Sequence, residues 1–312
     1  MLHRFQRQIM AQHTDDRIPQ EVIDFLDSRE RAFGRGGRGG KPTSNRRVES
    51  VNGGSISTAF KLTSGTSTLF IKTHAEPLPD MYAIEAESLD LLRRALKTER
   101  LVVPETLFQS ENAIVIDYIE TIRGEAHAEA LAEGLADIHR ETQVEFGYSR
   151  NTYCGLTLQD NTRSRDGYEF FAERRLLHLA RLCYDESRIS RQDMKALEKL
   201  LQRLSSIIPQ QPASLTHGDL WTGNQFGTTG GRAVLIDPAI AYAWREADIA
   251  ATMLFGALPE AFYARYNDYW PMEAGWRQRV PVYNLYHWLN HLLMFGNPYA
   301  TAVQAILKPY RG

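Results

Sequence analysis

The chain has 312 residues, 43% of them apolar and 24% charged, which excludes disorder over most of its length and allows one large domain or two of ordinary size. Lys plus Arg number 36 against 38 for Asp plus Glu, a net charge of −2, so no global excess points to nucleic acid or an anionic membrane surface. Two cysteines, Cys154 and Cys183, exclude a disulfide scaffold and fit a reducing, cytoplasmic compartment.

In chain order, MLHRFQRQIM carries Arg4 and Arg7 where an export signal needs an unbroken apolar stretch. Residues 20 to 33 have Val22, Ile23, Phe25 and Leu26 on one side and predict a helix. The segment from Gly34 to Arg47 then breaks it with five glycines and five basic residues. Its two Arg-Gly-Gly units also occur in RNA-binding tails, but no aromatic residues interleave to stack bases, so a plain linker is the favoured reading. Residues 1–47 are therefore expected to be a helical extension and a linker.

Over residues 48–119, SISTAFKL and STLFIKT around TSG predict a hairpin, Pro77 and Pro79 precede a long helical pattern to about Arg100, and AIVIDYIE from Ala113 to Glu120 predicts a buried strand. Residues 120–312 read as mostly helical, interrupted by one short strand, AVLID at 233–237. The stretch from Val280 to Leu307 lacks Asp, Glu, Lys and Arg, but Asn284, His287, Asn290, His291 and Asn297 interrupt it. It predicts a core helix and its following loop, with no membrane span. The expected fold class is α+β: a small β-rich part followed by a larger, mostly helical one.

The most informative segment is LTHGDLWTGN, Leu215 to Asn224, in which His217, Asp219, Leu220 and Asn224 fit the catalytic-loop pattern H-x-D-L-x-x-x-N of phosphotransferases. The spacing has a chemical reason. An Asp must take or orient the proton of the attacking hydroxyl, while an Asn one loop turn away must reach a magnesium ion on the phosphates. The predicted strand AVLID ends in Asp237, where a second metal-holding carboxylate is expected on a short hairpin.

Upstream, the same logic requires a lysine on a strand, and Lys72 in LFIKT is the candidate. At about 100° per residue, Met81, Leu89, Leu92 and Leu96 project around Glu85, whereas Glu87 lies opposite with Asp90 and Arg94. A carboxylate on an apolar face needs a cationic partner, which predicts a Lys72–Glu85 ion pair. Gly53 and Gly54 would let backbone N–H groups approach a phosphate, although a simple hairpin entry would use them equally well. The pattern G-x-G-x-x-G is matched only by Gly34, Gly36 and Gly39, in the linker. Backbone groups of Asp117, Tyr118 and Ile119 are expected to pair with adenine.

HGDLWTGN, followed by LIDPAIAYAWREADIAATMLFG and YNLYHWLNHLLMFG, resembles the fructosamine kinase (ketosamine 3-kinase) family within the aminoglycoside and choline kinase superfamily. The resemblance covers roughly Val51 to Gly296. It implies a two-lobed protein-kinase-like fold that uses ATP and Mg2+ to phosphorylate the 3-hydroxyl of a small-molecule or protein-bound ketosamine. By the same resemblance Asp219 is the catalytic base, Asn224 and Asp237 the magnesium ligands, Lys72 the phosphate lysine and Glu85 its anchor. Trp221 becomes either the sugar platform or a residue packed beneath the loop, Asp248 accepts hydrogen bonds from the loop backbone, and His217 is structural. Residues 1–47 have no recognised counterpart, and Asn52 stands where another glycine is expected.

Alternatives in reach of the same sequence are a kinase of another amine-bearing alcohol, aminoglycoside or choline-like, and a nucleotide-binding pseudokinase. The intact set Lys72, Glu85, Asp219, Asn224 and Asp237 argues against the second. His287 and His291 stand at i and i+4, but without a clear third ligand they favour packing or a cleft contact over zinc. Cys154 and Cys183 read as inert core thiols, and Gln159 and Asn161 either line the acceptor cleft or belong to a plain loop.

Overall fold

The computed structural model describes residues 17–33, 46–51, 57–122 and 127–311, so Gly53 and Gly54 lie outside the described residues. The chain divides into two compact units, one running up to Asp90 and resuming over Pro104–Ile119, the other made of Leu91–Val103 and the chain from Glu120 on.

The first unit is a five-stranded antiparallel sheet in the spatial order Arg46–Val51, Thr58–Ser64, Ser67–Thr73, Ala113–Asp117, Thr106–Gln109. Alternation along the strands gives it two faces. Leu62, Leu69, Ile71 and Val115 point to one of them and meet Val22 and Leu26 of helix Gln20–Phe33, which stand one helical turn apart. Arg46 fastens that helix to the sheet edge through Asp27 and Glu30, at 2.5 and 3.1 Å, and Ser64 donates to Glu30 at 2.6 Å. Helix Gln20–Phe33 is thus part of this unit's core. Lys72, one residue after Ile71, leaves from the opposite face.

The second unit is mostly helical, with small sheets that carry the loops of interest. Strand Ala213–Thr216 lies between Ala241–Ala243 and Thr142–Gln143, and Gln225–Gly227 forms a hairpin with Ala233–Leu235, which also pairs in parallel with Leu101–Val102. Residues Thr152–Cys154 and Thr157–Gln159 form a hairpin in the segment expected either to line the acceptor cleft or to be a plain loop, and Gly155 with φ of 65° closes its turn. Downstream of Gly124 these and the other two- to four-residue strands escape the period-2 signal because they are too short to alternate. Helix Trp276–Phe295 and its neighbours bury Tyr283, Leu285, Leu289 and Leu292, while Phe170–Leu177 winds as a π-helix.

Candidate active site

The segment between strands Ala213–Thr216 and Gln225–Gly227 is irregular, and a short list of polar contacts fixes its path. His217 is fully buried. Its Nδ1 accepts from the backbone N–H of Asp219 at 3.3 Å, so Nε2 carries the proton and donates to the Ile236 carbonyl at 2.9 Å. Burial lowers the His217 imidazole below its ordinary value, which keeps it neutral for that arrangement. Its role is to brace the loop.

Asp248, in the first turn of helix Arg245–Ala251, receives the backbone N–H groups of His217 at 2.6 Å and Gly218 at 2.9 Å on its two carboxylate oxygens. His139 Nε2 adds a third contact at 3.2 Å, and its Nδ1 meets the Tyr266 hydroxyl, which in turn accepts from Arg245 at 3.1 Å. Burial alone would raise the Asp248 carboxyl, but the His139 hydrogen bond, neighbouring histidines and the Gly218 amide hold it below the ordinary carboxylate value. Burial lowers His139, so a neutral ring rather than an ion pair joins it to Asp248.

Asp219 follows at the site's surface, with 18% of its side chain exposed. Asn224 Nδ2 donates to both its carbonyl and its carboxylate, at 2.8 and 2.9 Å. Burial pushes the Asp219 carboxyl up to about 7, and the negative charges of Asp237 and Asp248 add to the shift while hydrogen bonds from Asn224 and Trp221 oppose it. Ile236 N donates to the Asn224 carbonyl at 3.1 Å across the base of the hairpin, which returns Asp237 beside Asn224. Asp237 itself has φ of 56°, the left-handed region that a non-glycine residue adopts at a cost.

Trp221 packs edge-on against Phe255, with ring centroids 5.5 Å apart. Its indole also covers Gly223, where a Cβ would fall 2.1 Å from the ring. Phe255, 44% exposed, continues the aromatic surface toward Trp288 and His291.

In the first unit, Lys72 Nζ meets Glu85 Oε1 at 2.5 Å, both side chains largely buried. Glu85 lies on helix Met81–Ala95 between the buried Tyr82, Leu89 and Leu92. Strand Ala113–Asp117 leads out through Tyr118 and Ile119; the Asp117 N–H is taken by the Glu105 carbonyl, and Lys61 lies 4.3 Å over the Tyr118 ring.

Two supporting residues, Gly218 and His139, escape sequence reasoning. Gly218 occupies the variable position of H-x-D, yet its φ is 80° and a Cβ there would stand 1.9 Å from the Ala239 carbonyl oxygen. His139 lies 109 residues from its partner Asp248. Gln159 and Asn161 are buried in a hydrogen-bond net: Gln159 donates to Ala239 O at 3.1 Å and accepts from Tyr286 at 2.7 Å, and Asn161 accepts from Arg175 at 2.6 Å. They brace the loop from behind. His291 Nδ1 is bound to the His287 carbonyl at 2.8 Å, so this histidine is used within its own helix.

Residues 37–311 match the sequence model of the fructosamine kinase family. A probable ketoamine kinase of Enterococcus faecium is 31% identical over 272 residues, spanning 85% of this chain and 96% of its own. The chloroplastic protein-ribulosamine 3-kinase of Arabidopsis thaliana is 31% identical over 281 residues, 87% of this chain and 84% of its own. Among solved structures, a protein of Thermobifida fusca assigned as a fructosamine-3-kinase superposes with a TM-score of 0.78 at 28% identity, over 85% of this chain and 93% of that one. An ADP-bound aminoglycoside phosphotransferase shares the protein-kinase-like α+β fold at a TM-score of 0.58 and 14% identity, over 91% of this chain and 96% of its own.

Proposed function

The chain belongs to the fructosamine kinase family, and from that premise we propose that it transfers the γ-phosphoryl group of ATP to the 3-hydroxyl of a ketosamine, free or protein-bound, serving deglycation. The observation that carries the reading is Asp219: a carboxylate at the mouth of a braced loop, hydrogen-bonded by Asn224, with a proton affinity pushed up to about 7. Such a group takes the proton of the acceptor hydroxyl as phosphoryl transfer proceeds.

Asn224 and Asp237 offer oxygen donors from the two arms of one hairpin, the hard set that suits magnesium. Because Asn224 spends its amide nitrogen on Asp219, the oxygen of that amide is the group for the cation. Magnesium supplies charge neutralisation on the phosphates when bound. Lys72, oriented by Glu85, holds phosphate oxygens; Gly53 and Gly54 contribute backbone N–H groups, and Asp117, Tyr118 and Ile119 contact adenine. Trp221 covers the apolar face of the sugar.

No described helix is long and apolar enough to cross a membrane. A cytoplasmic address is part of the proposal and rests on the two free cysteines. The test is ATP turnover, with and without a magnesium chelator, against ketosamines, aminoglycosides and choline. Turnover of ketosamines alone is expected; turnover of aminoglycosides in their place would move the acceptor assignment and leave the kinase.

A further inference from the structure

His287 presents a problem that the phosphoryl-transfer reading leaves unsolved. It projects from helix Trp276–Phe295 with 4% exposure, and among the described residues its buried Nδ1 has no hydrogen-bond partner. A buried orphan of this kind is destabilising. Among the described residues a charged oxygen, Asp219 Oδ1, stands 3.8 Å from it, too far for a hydrogen bond. Cys154, 3% exposed at the end of strand Thr152–Cys154, completes the group: one donor atom from each of Cys154, Asp219 and His287 lies within 4.8 Å of the others. The side chain of Asn290, on the His287 helix, donates to the Cys154 carbonyl at 3.1 Å and so ties that helix to the end of the Cys154 strand.

Two donors about 2.0–2.2 Å from a shared tetrahedral zinc lie roughly 3.3–3.6 Å apart. The His287–Asp219 separation is within a few tenths of an ångström of that span, and since no pair exceeds 4.8 Å, closure on one cation asks for a shift of at most about 1 Å. Magnesium wants hard oxygens in octahedral array, so this set does not compete for it. Thiolate and imidazole select zinc and other thiophilic cations.

We propose that Cys154, His287 and Asp219 form a zinc-class cation site that reversibly inhibits the enzyme. Three protein donors leave the fourth position to water. On binding, the Cys154 thiol gives its proton to solvent and its sulfur bonds to the metal, while the Asp219 carboxylate becomes a ligand and is withdrawn from its work as base. The inhibitory consequence rests on Asp219 being that base; the cation site does not.

The site is read directly with Co2+ as the probe. Wild-type protein is expected to show a thiolate-to-cobalt charge-transfer band that Zn2+ abolishes, absent from Cys154→Ala and Cys154→Ser and retained in Cys183→Ala. With Mg2+ and ATP saturating, buffered zinc should inhibit the wild type, chelation should restore it, and both Cys154 variants should keep basal turnover while requiring about tenfold more zinc or higher for inhibition. Two variants with different packing, each checked by thermal melt, guard against misfolding. Absence of the band, or equal zinc sensitivity of wild type and both variants, overturns the proposal. A band lost on Cys154 substitution in a protein that turns over no ketosamine sustains the cation site, and the kinase assignment is what falls.

Discussion

His139 Nε2 donates to Asp248 Oδ2 across 3.2 Å, and the same carboxylate collects the backbone N–H groups of His217 and Gly218. One buried acceptor thus fixes the two residues before Asp219. Asp248→Ala orphans three buried donors together and should cost about 3–5 kcal/mol, read by denaturant melts. The sign with pH follows from the depressed folded-state carboxyl: its stabilisation is present above the ordinary aspartate range and lost as pH falls through the folded value. The gap between wild type and Asp248→Asn should therefore be full at neutral pH and shrink in acid. A constant gap would remove the charge from the explanation.

Gly218→Ala should damage the loop from the backbone side. Its φ of 80° disfavours any Cβ, and the Ala239 carbonyl at 1.9 Å from that Cβ must also move. Ala239 N is itself bonded to the His217 carbonyl at 2.8 Å, so the shift propagates into the loop. A loss of about 2–4 kcal/mol with turnover nearly abolished is expected. Wild-type melting would show that the loop yields freely.

Asp219 has the opposite electrostatics to Asp248. Its folded-state carboxyl is raised, from 3.8 to about 7, so it destabilises the ligand-free protein as pH rises from the first value to the second. Asp219→Asn should be more stable than wild type at pH 8 by on the order of 2 kcal/mol, with no gain at pH 3. It should also lose about 10²–10⁴ in kcat with ATP binding retained. Stability gained without loss of turnover would separate Asp219 from the chemistry.

Two kinds of information reach the sequence unequally. The Lys72–Glu85 contact is legible because a helix converts spacing into direction, and Leu89 and Leu92 mark the side on which Glu85 falls. The change from strands to helical periods is legible near Ile119, but nothing in the periods marks Leu91–Val103 as belonging with the helical unit. His139 is not legible, because nothing across a separation of 109 positions signals which acid its ring will meet. Gly218 is hidden for another reason: a pattern written H-x-D records side chains, whereas the constraint at that position is on φ. Cys154 comes near Asp219 from a hairpin of three-residue strands, too short to show alternation, and His287 from helix Trp276–Phe295, whose spacing gives no sign of that neighbour.

The proposed nucleotide-holding role of Lys72 and Glu85 is tested by three single substitutions. Glu85→Ala leaves the Lys72 ammonium, 9% exposed, without its carboxylate at 2.5 Å, so orientation and charge balance are both disturbed. Lys72→Ala removes the cation itself. Each should lower kcat/KM for ATP severely, by about 10²-fold or more. Glu87→Ala, on the opposite sector of the helix, should remain near wild type. The reverse order of the two glutamates would remove Glu85 from the site.

Trp221 and Asp219 lie two positions apart in one loop and should fail differently. The indole is set by Gly223 beneath it and Phe255 at its edge, with ring centroids 5.5 Å apart, so it presents a fixed surface. A stacking surface binds ground state and transition state alike and contributes mainly uniform binding. Trp221→Ala should therefore raise KM for the ketosamine most strongly and leave ATP affinity nearly unchanged. Asp219→Asn should instead lower kcat. A fructosamine lacking its 3-hydroxyl supplies the matching substrate experiment: it keeps the sugar face proposed to lie on Trp221 but lacks the 3-hydroxyl proton that Asp219 is proposed to take. It should bind competitively without consuming ATP. If the deoxy compound is phosphorylated at the normal rate, the 3-hydroxyl is not the acceptor, and the geometry around Asp219 must serve another hydroxyl of the same sugar.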